Sequence, residues 1–558
     1  YRLHNAHNVA VNAALAYLQS SVSLYRQTSN AHTEVKQADN LIVGKFRHDT
    51  SRSVEDTIDC QLHTHCVVIN ATQGEDGQWR SLFEKPIFDF KMVGGMVYRS
   101  VLAKELKSLG YTIEKTREDG LFEISGFKRD QIEAFSKRRV KIVEVMEELG
   151  LFGAKAAQAV TLGVRENKVP INREKLDEHW QDRIKDLDVD LSEIIDHSKK
   201  RVRDGIDLAI TSDPAADSAL NYAIKHLDER QSVFKEKDII KTTLQYALGD
   251  LLINDVTDAI TQMKASGQLV FLGDQQFQKL YTSDKILEQE QKIIEIMKKG
   301  KNEFDPIASH EVIDLYLDDL TNRAPQTKKP TQCQLKAIRF LGTSTDRIVG
   351  VQGYAGTGKT TMLNAVCRIA EQAGYAIRGA APSASAADVL RSDTGLKADT
   401  LSGLLLDLKK QKPRVKHQKP ELIILDEASM ASTHQMLNLM EVAIKLNKRV
   451  LLVGDRQQLP SVENGSPFSL LQDEGMNQAI LTQVVRQESP DLAFAVKETI
   501  QGDLEYAVRA IGNEAFINHH SDGEALFSPE SCVKEVKDKN RRLSDIAKDY
   551  LSLDDKGR

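Results

Sequence analysis

No stretch of eighteen apolar residues occurs in the sequence, which excludes a helical membrane span, so no membrane insertion is expected. The opening Tyr1-Arg-Leu-His has neither the charged start nor the apolar run of a secretory leader. An initiating Met is also missing, which suggests that the sequence begins inside a larger protein. Cysteine is scarce: Cys60, Cys66, Cys333, Cys367 and Cys532 form no Cys-x-x-Cys pair and no even framework, so a reducing cytoplasm is expected. An excess of positive charge is absent too. With 75 basic against 81 acidic residues the net charge is −6, so any nucleic-acid contact must come from local basic faces. Internal repeats and low-complexity tracts are lacking.

What is present is ordinary globular composition, 41% apolar and 28% charged, over 558 residues. That length exceeds what one hydrophobic core organises and implies three or more domains. A helix with an apolar stripe is predicted over 6–19, and two strands between 41 and 70. Another helix over 91–109 ends at Gly110, suited to a left-handed cap. A hairpin is expected from Tyr111 to Phe127, turning at Glu118-Asp119-Gly120, followed by a charged helix over about 130–149. From about 155 to 310 the pattern is helical, with a small β-wing at Gln268-Leu-Val-Phe-Leu and Leu280-Tyr-Thr, as in a winged-helix connector. Asn322–Thr331 reads as a linker. Beyond it strands at 347–351, 376–380, 422–425 and 450–453 alternate with helices, the mark of a parallel α/β sheet.

Gly353-Tyr-Ala-Gly-Thr-Gly358-Lys359-Thr360 fits the phosphate-loop pattern and lies between the apolar Ile348-Val-Gly-Val and a helix starting near Thr361. Gly353, Gly356 and Gly358 let the loop's N–H groups face the phosphates, with Thr361 opening the helix behind them. Lys359 would reach the β and γ oxygens, and Thr360 would ligate Mg²⁺. Leu422-Ile-Ile-Leu-Asp426-Glu427 is an apolar strand ending in two carboxylates. Asp426 would hold the Mg²⁺ and Glu427 would polarise the attacking water. Gln458, in Gly-Asp455-Arg-Gln-Gln458, is placed to contact the γ-phosphate, and Arg486 is a candidate arginine finger. An acid-tolerant helix start is the bland alternative for Asp426-Glu427, and it leaves the apolar run before them unexplained.

In order, Thr331-x-x-Gln334-x-x-Ala337, the phosphate loop, Ala381-Pro-Ser-Ala-Ser-Ala-Ala387, Asp-Glu-Ala-Ser, Gly-Asp-Arg-Gln-Gln-Leu-Pro and Val-Arg-Gln resemble the motifs of RecD-like superfamily 1 helicases. The resemblance implies a 5′-to-3′ motor on single-stranded DNA, with Gln334 reading adenine and the Ala381–Ala387 segment touching the strand. It also implies a small inserted subdomain near 405–420, where the basic run Lys409–Lys419 lies. A solvated charge run is the alternative there.

The amino-terminal third carries a separate signal. In Gln61-Leu-His63-Thr-His65 the strand period of two puts both imidazoles on one face, which suits a divalent cation. His48, in Phe46-Arg-His48-Asp-Thr-Ser-Arg52, is a candidate third ligand. Taken alone, such a pair is more often two ordinary strand residues. These segments, with Trp79-Arg-Ser-Leu, Tyr98-Arg99, Asp119-Gly-Leu-Phe-Glu-Ile, Glu133-Ala-Phe-Ser-Lys-Arg-Arg139 and Tyr222-Ala-Ile-Lys-His226-Leu-Asp-Glu-Arg230, resemble the TraI/TrwC (MobF) class of conjugative relaxase-helicases.

That resemblance implies a multidomain α/β and α+β chain. It would hold an HUH-type relaxase domain of antiparallel sheet and helices at 1–190, lacking its amino-terminal start, and a helical or winged connector at 191–325. A RecA-like lobe at 326–480 and an incomplete second lobe at 481–558 would follow. It implies metal-dependent nicking of single-stranded DNA at a plasmid transfer origin through a tyrosine, together with ATP-driven unwinding. His48, His63 and His65 match the family's metal triad, although the interval from His48 to His63 is longer than the family pattern. Tyr1, Tyr17 and Tyr25 do not match the nucleophile's place, so no catalytic tyrosine is assigned. Implied partners are transfer-origin DNA, relaxosome accessory proteins and a type IV secretion coupling protein, in a bacterial cytoplasm with translocation into a recipient cell. The rival reading is a RecD-like helicase with a non-catalytic DNA-binding front end.

Overall fold

The structure, a computed structural model, describes residues 1–507 apart from 30–31, 39, 55–56, 118, 164–171, 206–213, 326–328, 355, 412–418, 459–464, 486–489 and 505. Arg486, most of the Lys409–Lys419 run and most of the 481–558 segment therefore lie outside the described residues. The chain divides into two compact units, Tyr1–Asp284 and Lys285–Arg558, and the division falls within the 191–325 segment.

In the first unit the helix Arg2–Val22 lies along the helix Glu84–Ser108. Ala6, Ala10, Val11 and Tyr17 are buried on the first, and Val93, Met96, Val97 and Val101 on the second. Between residues 24 and 124 the strands are antiparallel two-stranded ladders among the described residues: Leu24–Ser29 with His32–Gln37, Val43–Thr50 with Cys60–Val68, Thr72–Gln73 with Trp79–Arg80, and Ile113–Lys115 with Phe122–Ile124. The last is the hairpin expected over 111–127. Its turn needs Gly120, whose φ is +79°, and where a Cβ would meet Met96 Sδ at 2.7 Å.

The expected charged helix over 130–149 is two helices, Arg129–Ala134 and Lys137–Glu148. Asp59 explains the break. Its carboxylate, 3% exposed, accepts from the Lys137 N–H at 2.9 Å and from Arg183 at 2.9 Å. A buried charge needs such partners, and the Lys137 amide is available only where a helix starts.

The connector builds a helix Pro214–Asp228, a short strand Phe234–Lys235, helices Glu236–Tyr246 and Ile253–Ala265, and a hairpin of Leu269–Gln275 and Gln278–Ser283. Its three strands pair in the order 269–275, 278–283, 234–235, and the outer pair is the hairpin expected at 268–282. The Glu84–Ser108 helix holds it in place: Ser100 Oγ donates to Leu251 O at 2.6 Å, and Lys107 pairs with Asp250 at 2.6 Å.

The second unit is a parallel six-stranded sheet ordered 398–400, 376–381, 421–425, 449–454, 348–353, 478–481, with helices between the strands. Ile348–Gly353 and Arg449–Gly454 are buried along their whole length, as strands covered on both faces must be. The amino-terminal edge of the sheet is tied down by buried cations. Arg347 donates to Glu303 and to the carbonyls of Ala443 and Lys448, Lys448 pairs with Glu421, and Arg449 donates to Ser344 O at 2.6 Å. That leaves the opposite, carboxyl edge for a ligand, where open α/β sheets bind theirs.

Candidate metal centre and nucleotide site

The Val43–Thr50 and Cys60–Val68 strands pair so that His48 stands directly opposite His63, with Phe46 opposite His65. Strand alternation then brings the three rings onto one face, with centroids 5.0 to 5.4 Å apart. One nitrogen from each lies within 4.8 Å of the others. The longer interval between His48 and His63 leaves this pairing intact. The ladder shifts register between His48 and Thr50, and beyond it Val54 bridges to Thr57. His63 Nδ1 lies 2.9 Å from the Gln61 carbonyl, which can only accept, so Nδ1 carries the proton and Nε2 is left as the ligand atom.

The other face of the same strand is braced from behind. Thr64 Oγ1 lies 2.8 Å from Nε2 of His7, whose Nδ1 lies 2.8 Å from the Tyr98 hydroxyl. His7 is 4% exposed, and burial, then the charge of Arg47, lowers its pKa from the usual value. A neutral imidazole with one donor and one acceptor nitrogen fits both hydroxyls. His7 carried no signal in sequence, because it reads as one polar residue within a helix stripe.

The phosphate loop runs from the Ile348–Gly353 strand into the helix Lys359–Gln372. Lys359 folds back so that Nζ donates to Gly353 O at 3.2 Å. A Cβ on Gly353 would meet Lys359 Cγ at 2.8 Å, so that close approach requires glycine. Gly356 and Gly358 hold φ of +77° and +75°. Gln334 caps its own helix and is 4% exposed; its Nε2 donates to Thr357 O at 3.1 Å and Gly358 O at 3.3 Å. Its amide is therefore turned into the phosphate loop. Thr360 is half-buried and Thr361 exposed at the start of the helix.

Asp426 and Glu427 end the central strand. Burial, then the Glu427 charge, raises the Asp426 carboxyl above its ordinary value. Glu427 holds φ of +50°, a left-handed backbone that non-glycine residues adopt at a cost. Its Oε2 is buried with no hydrogen-bond partner among the described residues. A desolvated carboxylate pair with an unpartnered oxygen fits a magnesium–phosphate ligand, because the cation would relieve both charges.

Gln458 Nε2 donates to Asp455 Oδ2 at 3.3 Å. Asp455, 3% exposed, also accepts from Gln352 at 2.9 Å, and Gln352 Oε1 accepts from Arg456 N and from Gln472. This buried network joins the phosphate-loop strand to the Gln458 loop. Gln352 and Gln472 have no role in the sequence reading. The signal was a polar residue closing the apolar run Ile348-Val-Gly-Val-Gln352. Val485 N donates to Gly356 O at 2.8 Å, so the Val-Arg-Gln segment begins against the phosphate loop.

Fold and sites together define a class: an antiparallel front domain with a histidine cluster, followed by a P-loop lobe built on a parallel sheet. Residues 1–187 match the family described as TrwC relaxase, and residues 329–522 match an AAA domain. The multifunctional conjugation protein TraI of Escherichia coli is 26% identical over 494 residues, 85% of this chain and 26% of that protein. The ATP-dependent RecD2 DNA helicase of Deinococcus radiodurans is 40% identical over 144 residues, 25% of this chain and 20% of that one. A structure of the conjugative relaxase TrwC in complex with mutant OriT DNA shares 36% identity, covering 34% of this chain and 67% of that chain, with a TM-score of 0.32. The chain is similar to the TraI/TrwC-like relaxase-helicases, with a TrwC relaxase match at its front and an AAA match behind it. It spans about a quarter of the length of the TraI protein it matches (26%).

Proposed function

We propose that this chain is part of a bifunctional DNA-transfer enzyme that nicks single-stranded DNA at a plasmid transfer origin and drives unwinding with ATP. The observation that carries the first activity is the convergence of His48, His63 and His65 on one ladder face, within 4.8 Å. Three neutral imidazole donors suit a divalent cation, which when bound would polarise a scissile phosphate. The chain's own part is to hold the ligand nitrogens in place. Gln61 O sets the His63 tautomer, and the His7–Thr64 contact anchors the strand from its far side. The attacking tyrosine is assigned to none of these residues: Tyr17 and Tyr25 are buried, and the Tyr98 hydroxyl is taken by His7. Transfer-origin DNA, accessory relaxosome proteins and a secretion coupling protein are the partners this reading implies.

For the second activity, Lys359 would counter the β and γ charges, and Thr360 and Asp426 would hold Mg²⁺. Glu427 would take the proton of the attacking water, and Gln458 would report the γ-phosphate through Asp455 and Gln352. Arg486 is the proposed arginine finger and Gln334 the proposed adenine reader, a role for which its amide would leave the Thr357 and Gly358 carbonyls. A 5′-to-3′ polarity follows from the likeness to RecD-type motors. The front end counts against a motor with a non-catalytic partner domain, because residues 1–187 match a relaxase family and carry the assembled triad.

The test measures DNA-stimulated ATP hydrolysis and bound Zn²⁺ in the same preparations. Lys359→Ala should lose ATP turnover and keep the metal, while His63→Ala with His65→Ala should lose the metal and keep turnover. Loss of both properties in either folded variant would sink the two-site reading.

A further inference from the structure

Tyr222 and Tyr246, on the helices Pro214–Asp228 and Glu236–Tyr246, stack face to face with ring centroids 4.1 Å apart at 22°. Each is 46% exposed, which is a large share for tyrosines in mutual contact. His226, one helical turn after Tyr222 and on the same face, holds its ring parallel to that tyrosine within 4°. The Ile113–Lys115/Phe122–Ile124 hairpin faces these rings and brings Lys115 and Arg117 to the other wall of a cleft of about 440 Å³. Lys115 Nζ sits 5.8 Å from the Tyr246 ring centre and donates to the Tyr246 carbonyl. No carboxylate lines the cleft among the described residues.

The cleft is preformed. Arg99 Nη1 donates to Asp119 O at 3.3 Å, and Gly120 packs on Met96, so the hairpin turn is pinned to the Glu84–Ser108 helix. Rings on one wall and cations on the other are the chemistry that recognises a nucleobase and its phosphate. Stacking accepts any base, because every base has a π face, while the cations follow the backbone.

We propose that this cleft is a sequence-independent single-stranded DNA site, separate from the histidine triad and the phosphate loop. Bases stack on Tyr222 and Tyr246, and phosphates lie along Lys115 and Arg117. The proposal deepens the reading above and rests on the chain handling single-stranded DNA. A strand held here stays attached to the first unit irrespective of the origin sequence.

The test uses the whole chain with oligo(dT) containing 4-thiothymidine, in two measurements: photocrosslink mapping, and affinity by fluorescence anisotropy. Adducts are expected on the peptides holding Tyr222 and Tyr246. Tyr222→Ala with Tyr246→Ala should weaken binding about tenfold and remove those adducts, whereas Tyr222→Phe with Tyr246→Phe should keep both. Arg117→Ala should weaken binding and flatten its salt dependence. Affinity unchanged in the double alanine variant, with adducts elsewhere, overturns the site while leaving the wider reading standing. Failure of the wild-type chain to bind oligo(dT) at all overturns both.

Discussion

His48 and His63 face each other across an antiparallel ladder with ring centroids 5.4 Å apart, although the chain between them is longer than the family pattern. The extra residues are absorbed beyond the end of the ladder, so the cross-strand pair survives. Since His48 is exposed and packs into no core, His48→Ala should change stability by less than about 0.5 kcal/mol. It should weaken Zn²⁺ binding by at least about 100-fold, read by calorimetric titration, because a ligand counts for more than a residue that merely orients one. Unaltered affinity would mean that the three rings hold no metal.

His7 tests the support behind that face. His7→Ala strands the Thr64 and Tyr98 hydroxyls and opens a buried space, so a cost of roughly 1–3 kcal/mol is expected. The melting midpoint should fall by several degrees. Zn²⁺ affinity should fall about tenfold, as it does when a group that orients a ligand is lost. Lower stability with unaltered affinity would make His7 a packing residue alone.

Glu427 combines a strained backbone with the proposed proton-accepting role. Glu427→Gly removes the left-handed penalty, roughly 1–3 kcal/mol. The midpoint should therefore not fall, while ATP hydrolysis should drop by at least about 100-fold. Glu427→Gln should bind ATP and fail equally in turnover. Preserved hydrolysis in either variant would remove Glu427 from the mechanism.

The Arg347–Glu303 pair at the sheet's amino-terminal edge predicts an acid sensitivity. The hydrogen bond from Arg347 holds the Glu303 carboxyl below its usual value of 4.5. The unfolded chain therefore takes up that proton first as pH falls. The pair's stabilisation is full above about pH 4.5 and is lost as pH drops through the lower folded value. Glu303→Gln should lower the midpoint at pH 7 and make it less pH-dependent below 4.5. Parallel melting curves for the two proteins would show that the pair contributes nothing.

The features legible in the sequence are those whose parts lie next to one another in the chain. A phosphate loop is eight consecutive residues between a strand and a helix, Asp426-Glu427 ends an apolar run, and His63-Thr-His65 needs only the strand period to share a face. Alternating apolar runs likewise announced the parallel sheet, and the runs at 268–272 and 280–282 a hairpin. What the residue order could not reveal involves partners far apart in the chain. His48 meets His63 through strand register, and Asp59 breaks a helix begun seventy residues later by taking the Lys137 amide. His7 reaches Thr64 across 57 positions, Gln334 turns its amide into the phosphate loop 23 positions on, and Tyr246 closes over Tyr222 from a neighbouring helix. Local pattern settles which faces are buried, because burial follows period. Which side chain then meets which is decided only when the packed elements fix distance and direction together, because a hydrogen bond or ring stack forms over a few tenths of an ångström.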